Sequence, residues 1–237
     1  MENFDQGYYW NKWKLWDEMK TYGAAARHTR RNVFKIIKGC DFQSAVDIGC
    51  GGGHLLAEFR SKYPELKLAG TEFIETAVIE NRKRYPSIDF FMLDITEGSL
   101  DACYDLVLCI DVLEHIDDDI KALKNLRKMT GKFLVVGVPI GKVSKSERSS
   151  LGHVHGYTIN EVSMKVYKAG FQILRSLEWG FPFYNLARLV TKNMRSSPAE
   201  GKFTVVKGVL FSFLYYLYFI NLPIFGNKYF LLCEPKE

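Results

Sequence analysis

The chain has 237 residues, which is room for one sizeable domain with appendages but not for two full domains. Apolar residues make up 47% and charged residues 25%, a balance that excludes disordered and fibrous classes. The formal charge of +5 is scattered, with Arg30–Arg31 and Lys142, Lys145 and Arg148 as its local concentrations, so no nucleic-acid partner is expected.

The cysteines Cys40, Cys50, Cys103, Cys109 and Cys233 are odd in number, widely spaced and without a C-x-x-C pair. That pattern fits a reducing compartment and argues against a disulfide scaffold or a thiolate zinc site. The first residues are acidic and lack an apolar run, so no signal peptide is read and a cytoplasmic location is expected.

Residues 8–38 predict a helix, with Trp10, Trp13 and Trp16 at spacing three and a stop before Gly39. It either packs an aromatic face on the domain or caps an active site, and residues 1–43 are assigned as an N-terminal helical cap. From Ser44 the pattern changes to a β-α alternation. SAVDIGCGGGHLL reads as a buried strand, a tight turn and a helix over His54–Tyr63. Strands follow at 67–72, 89–96, 104–111, 132–139 and 171–179, with helices over 75–85, stopped by Pro86, over 117–130 and over 158–171. Thr158 with Glu161 three residues later is a capping box. The alternation implies an α/β, Rossmann-like, doubly wound and mostly parallel sheet of seven strands, the last one antiparallel, with helices on both faces. Residues 44–180 form this core. Residues 181–237 are an aromatic helical insertion, uncharged from Gly208 to Asn227, and a closing edge strand KYFLLCEPK.

In open α/β sheets ligands bind beyond the carboxyl ends of the strands. Those ends carry Asp47 with Gly49, Cys50, Gly51, Gly52 and Gly53, then Glu72, Asp94 and Asp111. A dinucleotide site wants G-x-G-x-x-G and a free helix N-terminus for pyrophosphate. Here the glycines run G-x-G-x-G behind a carboxylate, which suits an ammonium better than a phosphate. Glu72 is placed to accept from two ribose hydroxyls and Asp94 from an adenine amino group. Adenosine joined to an amino-acid tail without phosphate describes S-adenosylmethionine.

On these residues the sequence, from 44 to about 175, resembles the class I S-adenosylmethionine-dependent methyltransferases. Asp47-Ile48-Gly49-Cys50-Gly51-Gly52-Gly53 is similar to their glycine-rich first motif, and Glu72 to the ribose-binding acid. Asp94-Ile95 is similar to the adenine-contacting pair, and Tyr104–Val107 with Asp111–Ile116 to the fourth-strand motif. The resemblance implies S-adenosylmethionine as cofactor, held by Asp47, Gly49, Cys50, Gly51, Glu72, Phe73, Asp94, Ile95 and Ile110. Taken by itself, Cys50 reads as packing.

Methyl transfer needs positioning and, for a hydroxyl acceptor, removal of a proton. His115, after the fourth strand, and His155, in the loop after the fifth, are the catalytic candidates, with His153 beside the latter. Structural roles for each histidine stay open. Asp111-x-x-Glu114-His115 with a later histidine also resembles the E-x-x-E-H…H metal set of small-RNA 2′-O-methyltransferases and ubiquinone-pathway O-methyltransferases. A divalent ion on Asp111, Glu114 and His115 is therefore the alternative, and the metal-free version is preferred.

The aromatic C-terminal segment favours a small-molecule, lipid-linked or saccharide acceptor, and O-methylation is expected. The alternative is a non-catalytic methyltransferase-fold subunit that partners an active one or anchors at a membrane. Residues 205–226 predict a helix that lies in a membrane interface. A buried helix or a homodimer contact stays open, and so does membrane association of a cytoplasmic protein.

Overall fold

The structure, a computed structural model, describes residues 17–145, 147–191 and 204–236. Its sheet has seven strands in the order β3-β2-β1-β4-β5-β7-β6. These are β1 (Ser44–Ile48), β2 (Lys67–Glu72), β3 (Asp89–Met92), β4 (Tyr104–Ile110), β5 (Thr130–Pro139), β6 (Phe171–Trp179) and β7 (Lys228–Pro235). Strands β1 to β5 run parallel, and β7 is antiparallel to both β5 and β6.

Around the sheet lie α1 (Ala24–Ile36), α2 (His54–Lys62), α3 (Glu75–Arg84), α4 (Asp119–Met129), α5 (Ile159–Lys168), α6 (Phe183–Thr191) and α7 (Val205–Leu217). The central strands are apolar on both faces and feed two cores. Val107 and Cys109 of β4 pack with Leu123 and Leu126 of α4 and Val166 of α5. The alternate residues Leu106 and Leu108 pack on the other face with Val33 of α1 and Phe59 of α2. This is the two-residue period of a strand covered on both sides, and each fully buried leucine contributes about 1.5–3 kcal/mol.

Several elements differ from the sequence expectation. Within the described part of the expected 8–38 helix, the chain is helical before and after Gly23 but not at it. Trp10, Trp13 and Trp16 lie outside the described residues. The third strand stops at Met92, because the Asp94 carboxylate accepts from both the N–H (2.8 Å) and the hydroxyl (2.7 Å) of Thr96 and turns the chain. The capping box of α5 is formed, with the Thr158 hydroxyl taking the Glu161 N–H and the Glu161 carboxylate taking the Thr158 N–H. The expected interfacial helix is α7, followed by a 3₁₀ turn over Tyr218–Ile220 and an extended segment from Asn221. Helix α6 falls within the expected helical insertion, where no separate helix was delimited. Among the described residues, no helix is long and apolar enough to cross a membrane.

Candidate active site

The carboxyl ends of β1, β2 and β4 converge. After β1 the chain turns through Gly49 (φ 65°), Gly51 (φ 52°) and Gly53 (φ 71°), all in the left-handed region that favours glycine. At Gly49 the demand is also steric, since a Cβ there would lie 2.6 Å from Cγ2 of Val112. The turn is tied to β2 by the Cys50 N–H donating to the Thr71 carbonyl (2.9 Å). It is tied to α3 by the Asn81 amide donating to the Gly51 carbonyl (2.6 Å).

Glu72 ends β2 with its side chain buried. Each carboxylate oxygen accepts one backbone N–H, from Gly51 (3.0 Å) and Phe73 (2.9 Å). A carboxylate oxygen can take more than one donor, so both retain acceptor capacity. Burial pushes the Glu72 carboxyl above its ordinary range, and those N–H groups offset the rise in part. Asp47 is buried alongside. Desolvation, and then the neighbouring Glu72 charge, raise its pKa to about 8, while Lys20 pulls the other way. Two buried carboxylates at one glycine turn form a site short of positive charge.

Lys20 belongs to the helical segment before Gly23, which lies against this turn. Asp17 accepts from His54 at the start of α2 (2.8 Å) and pairs with Arg84 of α3 (3.2 Å). The Asp17 carboxyl is lowered to about 2, first by the His54 hydrogen bond.

The other predicted cofactor residues are placed as follows. Asp94 is exposed on the turn after β3, and Thr96 engages only one of its oxygens. Ile95 is buried in the core, and its carbonyl accepts from Asn125 (2.8 Å). Phe73 and Ile110 are half-buried at the strand ends. The Cys50 thiol lies between Gly51 and Asn81, and burial raises its pKa, as packing requires.

Beyond β4 lies a second cluster. Asp111 has φ 58°, unusual for a residue with a side chain, and ion-pairs with the buried Lys228 that opens β7. Burial would raise Asp111, but the Lys228 ammonium outweighs it and holds the carboxyl below its ordinary value. Burial and then the Asp111 charge push Glu114 up. Its Oε2 is buried with no hydrogen-bond partner among the described residues.

His115 and His153 meet edge to face at 4.9 Å between ring centroids. Nδ1 of His115 lies 3.3 Å from the Gly152 carbonyl, to which only an N–H can donate, so the lone pair of the neutral ring is on Nε2. Burial lowers His115 to about 4, and burial with the His115 charge lowers His153 to about 3, so both rings are neutral near pH 7. Glu114, His115 and His153 offer ligand atoms within 4.8 Å of one another. The loop is fixed by the N–H groups of Val154 (2.8 Å) and His155 (3.1 Å), both donating to the Glu114 carbonyl. The His155 ring turns away to the Asp117 carbonyl (3.0 Å) and packs on Tyr157. Thus His153, and not His155, is the ring that meets His115.

Lys228 was missed in the sequence. Its signal is a lone cation between Asn227 and an apolar strand.

Residues 46–132 match the family model described as "Methyltransferase domain". Over 83 residues the chain is 34% identical to a ubiquinone biosynthesis O-methyltransferase of Rickettsia typhi, covering 34% of each protein. The chain spans about a third of the length of this relative and of its Rickettsia prowazekii counterpart. The fold is shared with the N-methyltransferase NodS of Bradyrhizobium japonicum, solved with S-adenosylhomocysteine, at TM-score 0.56 and 14% identity over 90% of this chain and 88% of that one. It is shared as well with a TehB-like S-adenosylmethionine-dependent methyltransferase of Corynebacterium glutamicum, at TM-score 0.59 and 14% identity over 98% and 100% of the two chains.

Proposed function

Because residues 46–132 are a methyltransferase domain carried on a class I S-adenosylmethionine-dependent methyltransferase sheet, we propose that this protein methylates a hydroxyl of a small-molecule, lipid or saccharide acceptor. The observation that carries the reading is Glu72, buried and oriented by the Gly51 and Phe73 N–H groups beside an equally buried Asp47. Glu72 would hold the ribose hydroxyls, Asp47 the cationic amino-acid tail, and Asp94 the adenine edge. The residues fit that ligand, since the buried carboxyl groups of Asp47 and Glu72 call for a cation and for hydroxyl donors. S-adenosylmethionine supplies the transferable methyl on a sulfonium. We read the helical segment over 17–22, which lies against the glycine turn, as a cap over this site.

His115 is the acceptor-side base of this reading: Nε2 takes the hydroxyl proton, while the Gly152 carbonyl holds the tautomer and His153 the ring. With a pKa of about 4 it is always available but weak. It therefore suits an acidic hydroxyl such as a phenol or enol better than a sugar alcohol.

Titration calorimetry with S-adenosylmethionine and S-adenosylhomocysteine tests the cofactor site. Glu72→Ala removes two charge-assisted acceptors, each worth roughly 1.5–3 kcal/mol, so affinity should fall at least tenfold. Unchanged binding by the variant would refute the placement. Product detection across a panel of hydroxyl acceptors then tests the reaction, and cofactor binding without transfer to any acceptor would favour the non-catalytic alternative.

A specific observation keeps one second reading. Glu114 with its unpartnered Oε2, His115 and His153 could together hold a divalent ion, which would supply Lewis acidity toward the acceptor oxygen. Asp111 is then not a ligand, since Lys228 holds it. Under the base reading His115→Ala lowers turnover roughly 10²–10⁴-fold, cofactor affinity stays and chelator does nothing. Under the metal reading chelator abolishes turnover, Mg²⁺, Mn²⁺ or Zn²⁺ restores it, and Glu114→Gln costs as much as His115→Ala.

A further inference from the structure

We propose that the face built by α6 and α7 docks on an anionic lipid bilayer. Helix α7 is apolar on both sides. Phe211, Leu214 and Tyr215 pack inward on the core that includes α1. The opposite side leaves Val209, Phe213 and Tyr216 open, Phe213 at 63% exposure. A helix apolar all round belongs in an apolar surrounding, and this one has water on its outer side. The patch continues through Phe225, 76% exposed, to Leu186 and Leu189 of α6. These elements are joined, because the Phe183 N–H donates to Asn221 (2.9 Å) and the Asn185 amide to the Phe225 carbonyl (2.7 Å). A patch of this extent marks an interaction surface.

Charge selects the occupant. Helices α1, α6 and α7 and residues 218–227 contain no aspartate or glutamate. Arg31, exposed, lies over the half-open Phe219 ring at 4.3 Å, so a guanidinium borders the apolar face, and Arg27, over the inward-packed Tyr215 ring at 3.5 Å, adds a second positive charge behind it. Tyrosine, phenylalanine and arginine beside an aliphatic face match the polar–apolar boundary of a bilayer with negative headgroups. A second copy fits less well, since a two-fold contact would offer the same cations and no acid from these elements.

The position is functional. Trp179, ending β6, and Pro139, ending β5, both pair with Lys228, so the chain leaves for α6 and returns from α7 at the Asp111 end of the sheet. A docked molecule would present its acceptor side to the lipid, which selects a lipid-linked hydroxyl. That last step rests on the methyltransferase reading, whereas the docking itself does not.

The test is flotation of the full chain with phosphatidylglycerol–phosphatidylcholine vesicles against pure phosphatidylcholine vesicles. The expected result is binding to the anionic vesicles that weakens with salt and falls at least tenfold in L210E/F213E and in R27E/R31E. S-adenosylhomocysteine titration of each variant reports an intact fold. Parent protein that stays in the soluble fraction with anionic vesicles, or an L210E/F213E variant that floats as well as the parent, overturns the proposal. A lipid-free dimer that L210E/F213E dissociates overturns it in favour of a second copy. Vesicle binding without any cofactor binding would instead sink the methyltransferase reading and leave the docking face standing.

Discussion

In the proposed cofactor placement, Asp47 gives up a proton as the cationic tail binds. Its carboxyl sits at about 8 in the folded protein, far above the ordinary carboxylate value, so folding with Asp47 ionised grows more costly as pH rises through that interval. A cationic tail binds the ionised form. Affinity for S-adenosylhomocysteine should therefore rise between pH 6 and pH 8, by up to about tenfold per unit, and level off above. Calorimetry in buffers of different ionisation enthalpy should show proton release near pH 7, and flat affinity without release would contradict the assignment. At the other carboxylate, Lys228→Met leaves Asp111 without its ammonium. The cost should be roughly 3 kcal/mol, at the low end for a broken buried pair because a quarter of the Asp111 side chain still meets solvent. Adding Asp111→Asn should recover most of it, since asparagine tolerates a positive φ. Denaturant unfolding of the double-mutant cycle measures both effects. That Asp47 and Glu72 meet at the carboxyl ends of β1 and β2 was legible in the sequence, because the β-α alternation fixes which residues end neighbouring parallel strands. The His153–His115 contact and Lys228 were not, because a loop's path and a strand's insertion are set by distant residues.

Helix α5 shows how far local rules carry. Its capping box depends on Thr158 and Glu161 alone, and Thr158→Ala should cost about 1 kcal/mol, lowering Tm by about 2–4 °C in a chain of this size, with S-adenosylhomocysteine affinity unchanged. A shift below half a degree would show that the cap adds nothing. Helix α6 shows where the rules stop. FYNLARLVT lacks a strong cap, is exposed at Leu186, Leu189 and Val190, and lies in a stretch too apolar for the sequence to separate helix from strand. Arg188 anchors it by donating from Nη2 (2.8 Å) and Nε (3.0 Å) to one oxygen of the Glu147 carboxylate and from Nη1 to the Ile140 and Asn227 carbonyls. Those partners are some forty residues away in either direction, which no local pattern reveals. The third strand was overestimated for the opposite reason: LDIT is apolar enough to continue, but the Asp94 side chain competes with the ladder for backbone donors.

For the molecule as a whole, the alternation of apolar runs and helices made the doubly wound sheet readable, and the strand order agrees with it. The closing strand, β7, expected from the sequence at the edge, is instead internal. It pairs with β5 and β6, and Tyr229 and Phe230 fill opposite cores. That insertion bears on how the protein is made. On the ribosome β6 emerges before β7, so it waits beside a sheet to which it cannot yet hydrogen-bond. Lys228 arrives with the later strand, and until then Asp111 has no cation beside it. A nascent chain therefore has β1, β2 and β4 to pair before Asp111 gains its Lys228 partner, and translation sets the order in which the two strand-end clusters form.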